Sequence, residues 1–220
     1  MTSRPSPKNK RVELGDRSRE VILDVATRLM SARGYDGTSI SAIAKESGLP
    51  ASSIYWHFSS KVGVLTAVMD RGNARFYAEA SLMEIPSEGS RFDKLLAIFQ
   101  NGMRALERNP DFVRLQIILM LNSPAGTVNE AVTRMRAQAR SGMRSALEQA
   151  FADLGPARAE AVAAGLVEFV GAGFDGVFLT HEAASPSTQH LLRQLAQATV
   201  ALAEGLIASG LASCDDGSGR

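Results

Sequence analysis

Residues 38–61 read TSISAIAKESGLPASSIYWHFSSK, and this stretch decides the fold. Thr38-Ser39 supplies N-cap chemistry for a helix whose inward face is Ile40, Ile43 and Ala44. Ser47-Gly48-Leu49-Pro50 then makes a tight turn, with Gly48 suited to a positive φ and Leu49 as an apolar plug. Ala51 to Phe58 gives two further helical turns. Ile54 and Phe58 stand four residues apart on one face, placed to pack against Ile43 and Leu49. A helix, a four-residue turn and a short second helix form the helix-turn-helix plan, whose second helix enters the DNA major groove.

The outward side chains of the second helix suit that task. Ser52 and Ser53 are small hydrogen-bonding groups that allow close approach. Tyr55 and His57 are hydrogen-bond partners for phosphates, and Trp56 has an edge for a sugar or a thymine methyl. Lys61 adds a positive charge at a helix start, where free backbone N–H groups already favour a phosphate. The competing reading of Tyr55, Trp56 and Phe58 is an aromatic core. It fits Phe58 best and Trp56 least, because a Trp-His pair on a short polar helix is hard to bury.

Working outward, helical periodicity continues along the chain and no period-two run is sustained. Val21, Ile22, Val25, Ala26, Leu29 and Met30 form one apolar stripe, stopped by Gly34. Leu95, Leu96, Phe99, Met103 and Leu106 form another, closed by Asn109-Pro110, which also opens the next helix. Gly155 ends a long segment from about residue 128, and Pro156 starts its successor, which runs to about His181. The expected architecture is all-α, with about nine helices. The expected organisation is a basic flexible arm at 1–16, a DNA-binding domain at 17–64, a ligand-binding and dimerisation domain at 65–210, and a flexible tail at 211–220.

Composition narrows the function. Of 220 residues, 45% are apolar and 21% charged, which suits a folded chain with a sizeable core. Residues 1–80 hold twelve Lys/Arg against eight Asp/Glu, a net of +4, while the remainder is −3, so one end is suited to a polyanion. Arg4, Lys8, Lys10 and Arg11 lie in an acid-free arm that either touches DNA phosphates or is a solvated tail. The lone Cys214 rules out an internal disulfide, and no signal peptide is visible. Glu168 and Asp175 interrupt the longest apolar stretch, so no membrane span is expected and the chain reads as cytoplasmic. His57, His181 and His190 sit in no metal-binding spacing, and no nucleophile elbow, phosphate loop or dinucleotide turn is present. No enzyme activity, catalytic residue, metal or cofactor is expected.

Arg33-Gly34-Tyr35, Thr38 to Ala44, Gly48 to Lys61, and Leu65 together resemble the N-terminal signature of the TetR family of transcriptional repressors. The resemblance covers roughly residues 17–65. It implies a homodimer that binds a palindromic operator on double-stranded DNA, and a divergent C-terminal domain whose small-molecule effector releases the DNA. By position it implies DNA contacts at Ser41, Ala51, Ser52, Ser53, Tyr55, Trp56, His57 and Lys61. Ala51 offers only a methyl and Ser41 a hydroxyl, so readout is expected to lean on thymine contacts, water or DNA shape. The alternative is a DNA-binding regulator without a small-molecule ligand, an activator or one controlled by a protein partner.

The rest of the chain is read from residues. Gly165, Gly171, Gly173 and Gly176 each cost about 1 kcal/mol against Ala inside a helix, which close helix–helix approach would offset. With the leucine stripe of the last helix they suggest a four-helix dimer surface using Gly165, Phe169, Gly173, Leu191, Leu195 and Leu202; the other reading is a kink beside a cavity. Phe99, Met103, Phe112, Gln116, Met120, Met135, Met143, Phe174 and Phe178 are the candidate pocket, suited to an apolar or aromatic effector, or else plain core. Arg140, Asp175 and His181 are candidate polar anchors.

Overall fold

The computed structural model describes residues 7–81, 85–122, 127–182 and 188–210. Among the described residues there are nine α-helices, one short 3-10 turn and no strands, as the periodicity leads one to expect. The helices are α1 (Pro7–Arg33), α2 (Ile40–Ser47), α3 (Ala51–Phe58), α4 (Lys61–Ser81), α5 (Arg91–Glu107), α6 (Pro110–Asn122), α7 (Thr127–Ala150), α8 (Pro156–Glu182) and α9 (Thr188–Ala208), with the 3-10 turn at Ala152–Leu154. Arg4, Cys214 and the 211–220 tail lie outside the described residues.

The chain divides into two compact units: Met1–Phe76 with Arg108–Met135, and Tyr77–Glu107 with Arg136–Arg220. In the first unit the stripe of α1 is fully buried at Ile22, Leu23, Ala26 and Met30, together with Ile43, Ile54, Val64 and Leu65. Gly34 ends α1 at φ 72°, its amide donating to the Met30 carbonyl at 3.0 Å. Arg71 of α4, 12% exposed, donates to Glu20, Asp24 and Thr27 of α1 at 3.0, 2.7 and 3.1 Å. This clamps α4 against α1.

Two expected boundaries need correction. The arm was expected to run to residue 16, yet α1 begins at Pro7, so residues 7–16 are helical. Pro7 occupies a first turn, where its missing N–H costs nothing, and Lys8, Lys10, Arg11, Glu13 and Leu14 are good helix formers. Residues 65–210 were expected to form one domain, yet α6 packs with the first unit. Ser31 of α1 donates to Asp111 at 3.2 Å, and the Phe112 ring lies directly on the bare Cα of Gly72 in α4. A helix so docked belongs to the unit it touches.

In the second unit α8 and α9 pack along each other, and α5 packs on α9. Phe99 and Phe174 meet at 6.2 Å between ring centroids, tilted by 44°, with the Phe174 ring against Gly102. The Tyr77 hydroxyl donates to the Gln138 carbonyl at 2.8 Å, and its ring rests on Gly142 of α7. Burial raises the Tyr77 phenol above its ordinary pKa, which keeps that donor protonated. Helix α8 is long and apolar enough to cross a membrane by length and composition alone. One side of it is occupied by α9.

Candidate DNA-binding surface

Local chemistry sets the two short helices. The Ser39 hydroxyl caps α2, accepting the Ala42 amide at 3.1 Å. Thr38 does a different job: it is buried, and its hydroxyl donates to the Gly34 carbonyl at 2.9 Å. Gly48 takes φ 69° at the end of α2, a left-handed conformation that costs glycine little. Pro50 then leads into α3, its carbonyl accepting the Ser53 amide at 2.9 Å. Ile43 and Ile54 are fully buried and Phe58 is 7% exposed, so the inward face of α3 is held by apolar burial.

That packing fixes what α3 turns outward. Trp56 is 78% exposed and Tyr55 51%, so neither is core, while Phe58 is. Ser41 and Ser52 are exposed, and Ala51, Ser53, His57 and Lys61 are half-buried. Trp56 and His57 meet edge to face at 4.6 Å between centroids, 79° apart in plane. Partial burial, with the Arg19 charge adding to it, holds the His57 imidazole below its ordinary pKa, while Asp16 pulls the other way. An exposed indole beside exposed hydroxyls is costly in water, and the groove of a duplex offers it sugars, methyls and phosphates.

Several residues of this surface escaped the sequence reading. The Lys61 ammonium stands 4.1 Å over the Tyr35 ring, and the Arg19 guanidinium 5.4 Å over the Phe58 ring. Ser59 takes φ 62° and its amide donates to the Tyr55 carbonyl at 2.9 Å. Ser60 caps α4, accepting the Gly63 amide at 3.0 Å. A Cβ at Gly63 would collide with the Phe58 carbonyl, so α3 and α4 join this tightly only through glycine. The signal for Gly63 was its place three residues after a serine cap; contacts reaching back to Arg19 or Tyr35 left no local signal.

The candidate pocket residues are divided between the units. Phe112, Gln116, Met120 and Met135 fall in the first, where the Gln116 amide approaches the Met135 sulfur at 2.9 Å. Phe99, Met103, Met143, Phe174 and Phe178 fall in the second; all but half-buried Met143 are core. A cleft of about 370 Å³ lies within the first unit, between α1, α4 and the start of α6, and of the expected set only Phe112 lines it. Arg140 pairs with Glu168 at 2.7 Å, and His181 meets Thr188 at 3.0 Å and Glu107 at 3.4 Å. Burial raises the Asp175 carboxyl above its ordinary pKa, with Arg136 opposing the shift.

The expected dimer surface needs a correction. A Cβ on Gly173 would stand 2.5 Å from Leu195 Cδ1, and one on Gly165 2.9 Å from Leu206 Cδ1. Both glycines therefore serve α8–α9 packing within the chain, and Leu195, 7% exposed, is consumed by it. Leu191 is half-buried. Phe169 and Leu202 remain at the surface, 44% and 39% exposed.

Comparison with known proteins shows what this surface is similar to. Residues 22–68 match the sequence profile described as "Bacterial regulatory proteins, tetR family". The chain is 56% identical over 41 residues to the HTH-type transcriptional regulator LmrA of Bacillus subtilis (strain 168), covering 19% of this chain and 22% of that protein. It is 42% identical over 53 residues to the HTH-type transcriptional regulator AcrR of Shigella flexneri, covering 24% and 25%. The match thus spans about a quarter of these relatives' own length. The fold is shared more widely: the fatty acid degradation regulator FadR from Bacillus halodurans superposes with a TM-score of 0.65 at 16% identity, over 90% of this chain and 96% of that one. A TetR-family transcriptional regulator from Mesorhizobium loti gives 0.64 at 17%, over 87% and 97%. Residues 22–68 thus carry the N-terminal signature of the TetR family of bacterial regulatory proteins, on a helical fold shared along the chain with solved transcriptional regulators.

Proposed function

We propose that the protein is a cytoplasmic, ligand-responsive repressor, which binds a palindromic operator as a homodimer and is released by a small apolar or aromatic effector. The observation that carries the reading is the outward face of α3, where Trp56 and Tyr55 stand exposed beside Ser52 on a helix whose inner face is fully packed. Ser52, Ser53 and Trp56 read base edges, while Tyr55, His57 and Lys61 bind phosphates.

The dimer reading is supported by a second apolar face. On α8, Phe169, Ala172, Gly176 and Leu179 are exposed, and on α9 so are Ala198, Ala201, Leu202 and Gly205. Each set follows helical spacing on one side of its helix. A Cβ at Gly176 or Gly205 would meet nothing in the chain itself, so neither glycine is explained by internal packing. A second copy crossing there would explain both, as a four-helix interface about a two-fold axis.

The release step has its support in α4. Arg71 and Gly72 anchor this helix in the first unit, and Tyr77 anchors its far end on α7 in the second. An effector must favour the conformation that binds DNA less well, and a shift of α4 is the means.

One experiment tests the whole. Duplexes are selected from a random pool by the protein, and the selected duplex is used in light scattering and in a screen of apolar and aromatic compounds. A palindrome bound by two chains, and released by at least one compound, is the expected result. Binding as a monomer to an asymmetric site would overturn it.

A further inference from the structure

We propose that Arg19 is a phosphate contact of the DNA-binding surface, and that Tyr35 is a positioning residue for Lys61, so that two cations are held ready by aromatic rings at the C-terminal end of α3. The inference rests on the DNA-binding reading and deepens it.

The geometry is as follows. Arg19 lies on α1, and its guanidinium sits 5.4 Å from the centroid of Phe58, the last residue of α3. The ring beneath it is buried, so the guanidinium covers the core on one side and keeps its side chain 43% exposed on the other. Its acidic neighbour Glu20 is held loosely, at 3.5 Å, and Glu20 is engaged at 3.0 Å by Arg71. His57, on the DNA face, feels the Arg19 charge. The guanidinium therefore stands beside a side chain already assigned to phosphates.

Lys61 has the same arrangement. It is the first residue of α4, and its ammonium is 4.1 Å from the centroid of the Tyr35 ring. A lysine on a flexible four-carbon stem loses rotamer freedom when it grips a phosphate. A ring that holds the ammonium beforehand removes part of that cost, because the freedom is given up before DNA arrives. The ring face also attracts the cation without neutralising it, so the charge stays available to the phosphate. An acidic partner would cancel it.

The two roles make different predictions. Arg19 should behave as a charge that releases counterions, and Tyr35 as a ring. Arg19→Met keeps apolar contact with Phe58 and removes the charge. Tyr35→Phe keeps the ring, and Tyr35→Leu removes it. Binding is measured to two duplexes, one selected from a random pool by the wild-type protein and one of mixed sequence, over a series of salt concentrations; thermal unfolding by circular dichroism accompanies each variant. Arg19→Met should weaken both duplexes by a similar factor and lower the slope of log affinity against log salt by about 0.9, the value for one phosphate contact. Tyr35→Leu should weaken both by about two- to fivefold, matching a cation–π contact, with Tyr35→Phe near wild type and Lys61→Ala abolishing the difference between Tyr35 and Leu. A folded Arg19→Met protein with unchanged affinity and slope overturns the first role. A Tyr35→Leu loss that persists in the Lys61→Ala background overturns the second. A wild-type protein that selects no duplex and binds DNA without salt dependence would instead sink the DNA-binding reading itself.

Discussion

Replacing glycines of α8 and α9 by alanine separates packing inside the chain from packing between copies. Inside a helix, Gly→Ala stabilises by about 1 kcal/mol when the new methyl has room. At Gly173 it has none: the Cβ would stand 2.5 Å from Leu195 Cδ1, at least 1 Å inside the usual carbon–carbon separation of about 3.5–4.0 Å. Leu195 is packed, so overpacking of about 1–3 kcal/mol outweighs the helix gain, and Gly173→Ala should be neutral to destabilising by up to about 2 kcal/mol. At Gly176 and Gly205 nothing in the chain lies within 4 Å. In an isolated chain each substitution would raise the melting temperature by about 2–4 °C. In a dimer using this face the methyl meets the partner, twice by symmetry, and the dissociation constant should rise about tenfold or more. Gly171 is the internal control, also without neighbours within 4 Å but about 140° round the helix from Gly176. Gly171→Ala should raise stability and leave association untouched. Light scattering over a concentration series, with melting curves on the same samples, reads both quantities. If Gly176→Ala and Gly205→Ala raise the melting temperature while the dissociation constant stays at the wild-type value, this face is not the interface.

Other predictions concern the first unit and its link to the second. Arg71→Ala removes the clamp between α1 and α4; because Glu20 and Asp24 are left partly solvated, the loss should be about 1–2 kcal/mol in urea unfolding, and a loss near zero would show the clamp to be idle. His57 is held below its ordinary pKa, so the folded state resists its protonation; its contribution is present above about pH 6.5 and is lost as pH falls from there through the folded pKa. His57→Gln should therefore lessen the acid-side fall in stability across that window, and an identical pH profile would contradict the assignment. Gly142→Ala, whose Cβ would stand 2.6 Å from Tyr77 Cε1, should leave DNA binding intact and change the release by effector, read as operator affinity with and without a hit from the compound screen.

What the sequence revealed and what it hid follow from range. The caps at Ser39 and Gly34, the turn at Gly48, and the buried Ile54–Phe58 pair involve residues within a few positions of each other, so the pattern is written locally. The packing of α6 on α1 was not legible, because Phe112 meets Gly72 forty residues away and neither residue announces the other. The glycines of α8 show the same limit. Their helical cost suggests close approach, and Gly173 and Gly165 do meet Leu195 and Leu206 of α9, whereas Gly171 and Gly176 have nothing of the chain within 4 Å. Composition gives the need for a close neighbour; only coordinates say which chain supplies it. The candidate pocket meets a related limit. Phe and Met at helical spacing are equally good lining and equally good filler, and the contact of Phe99 with Phe174 suits either.

The two anchors of α4 constrain any release mechanism. At one end, Arg71 donates hydrogen bonds to Glu20, Asp24 and Thr27 of α1, and the Gly72 Cα carries the Phe112 ring. Five residues on from Gly72, the Tyr77 hydroxyl donates to the Gln138 carbonyl and its ring rests on Gly142. The first set joins α4 to α1 and α6 by charge-assisted and apolar contacts; the second docks the Tyr77 ring and hydroxyl on α7. A neutral hydrogen bond is worth about 0.5–1.5 kcal/mol and a coupling of about 1–3 kcal/mol changes operator affinity roughly 5–150-fold, so losing this one docking is of the right size. Unfolding is not required. On the proposed effector-responsive reading, a ligand that displaced Tyr77 from α7 would act through this docking, and Gly142→Ala probes the same place.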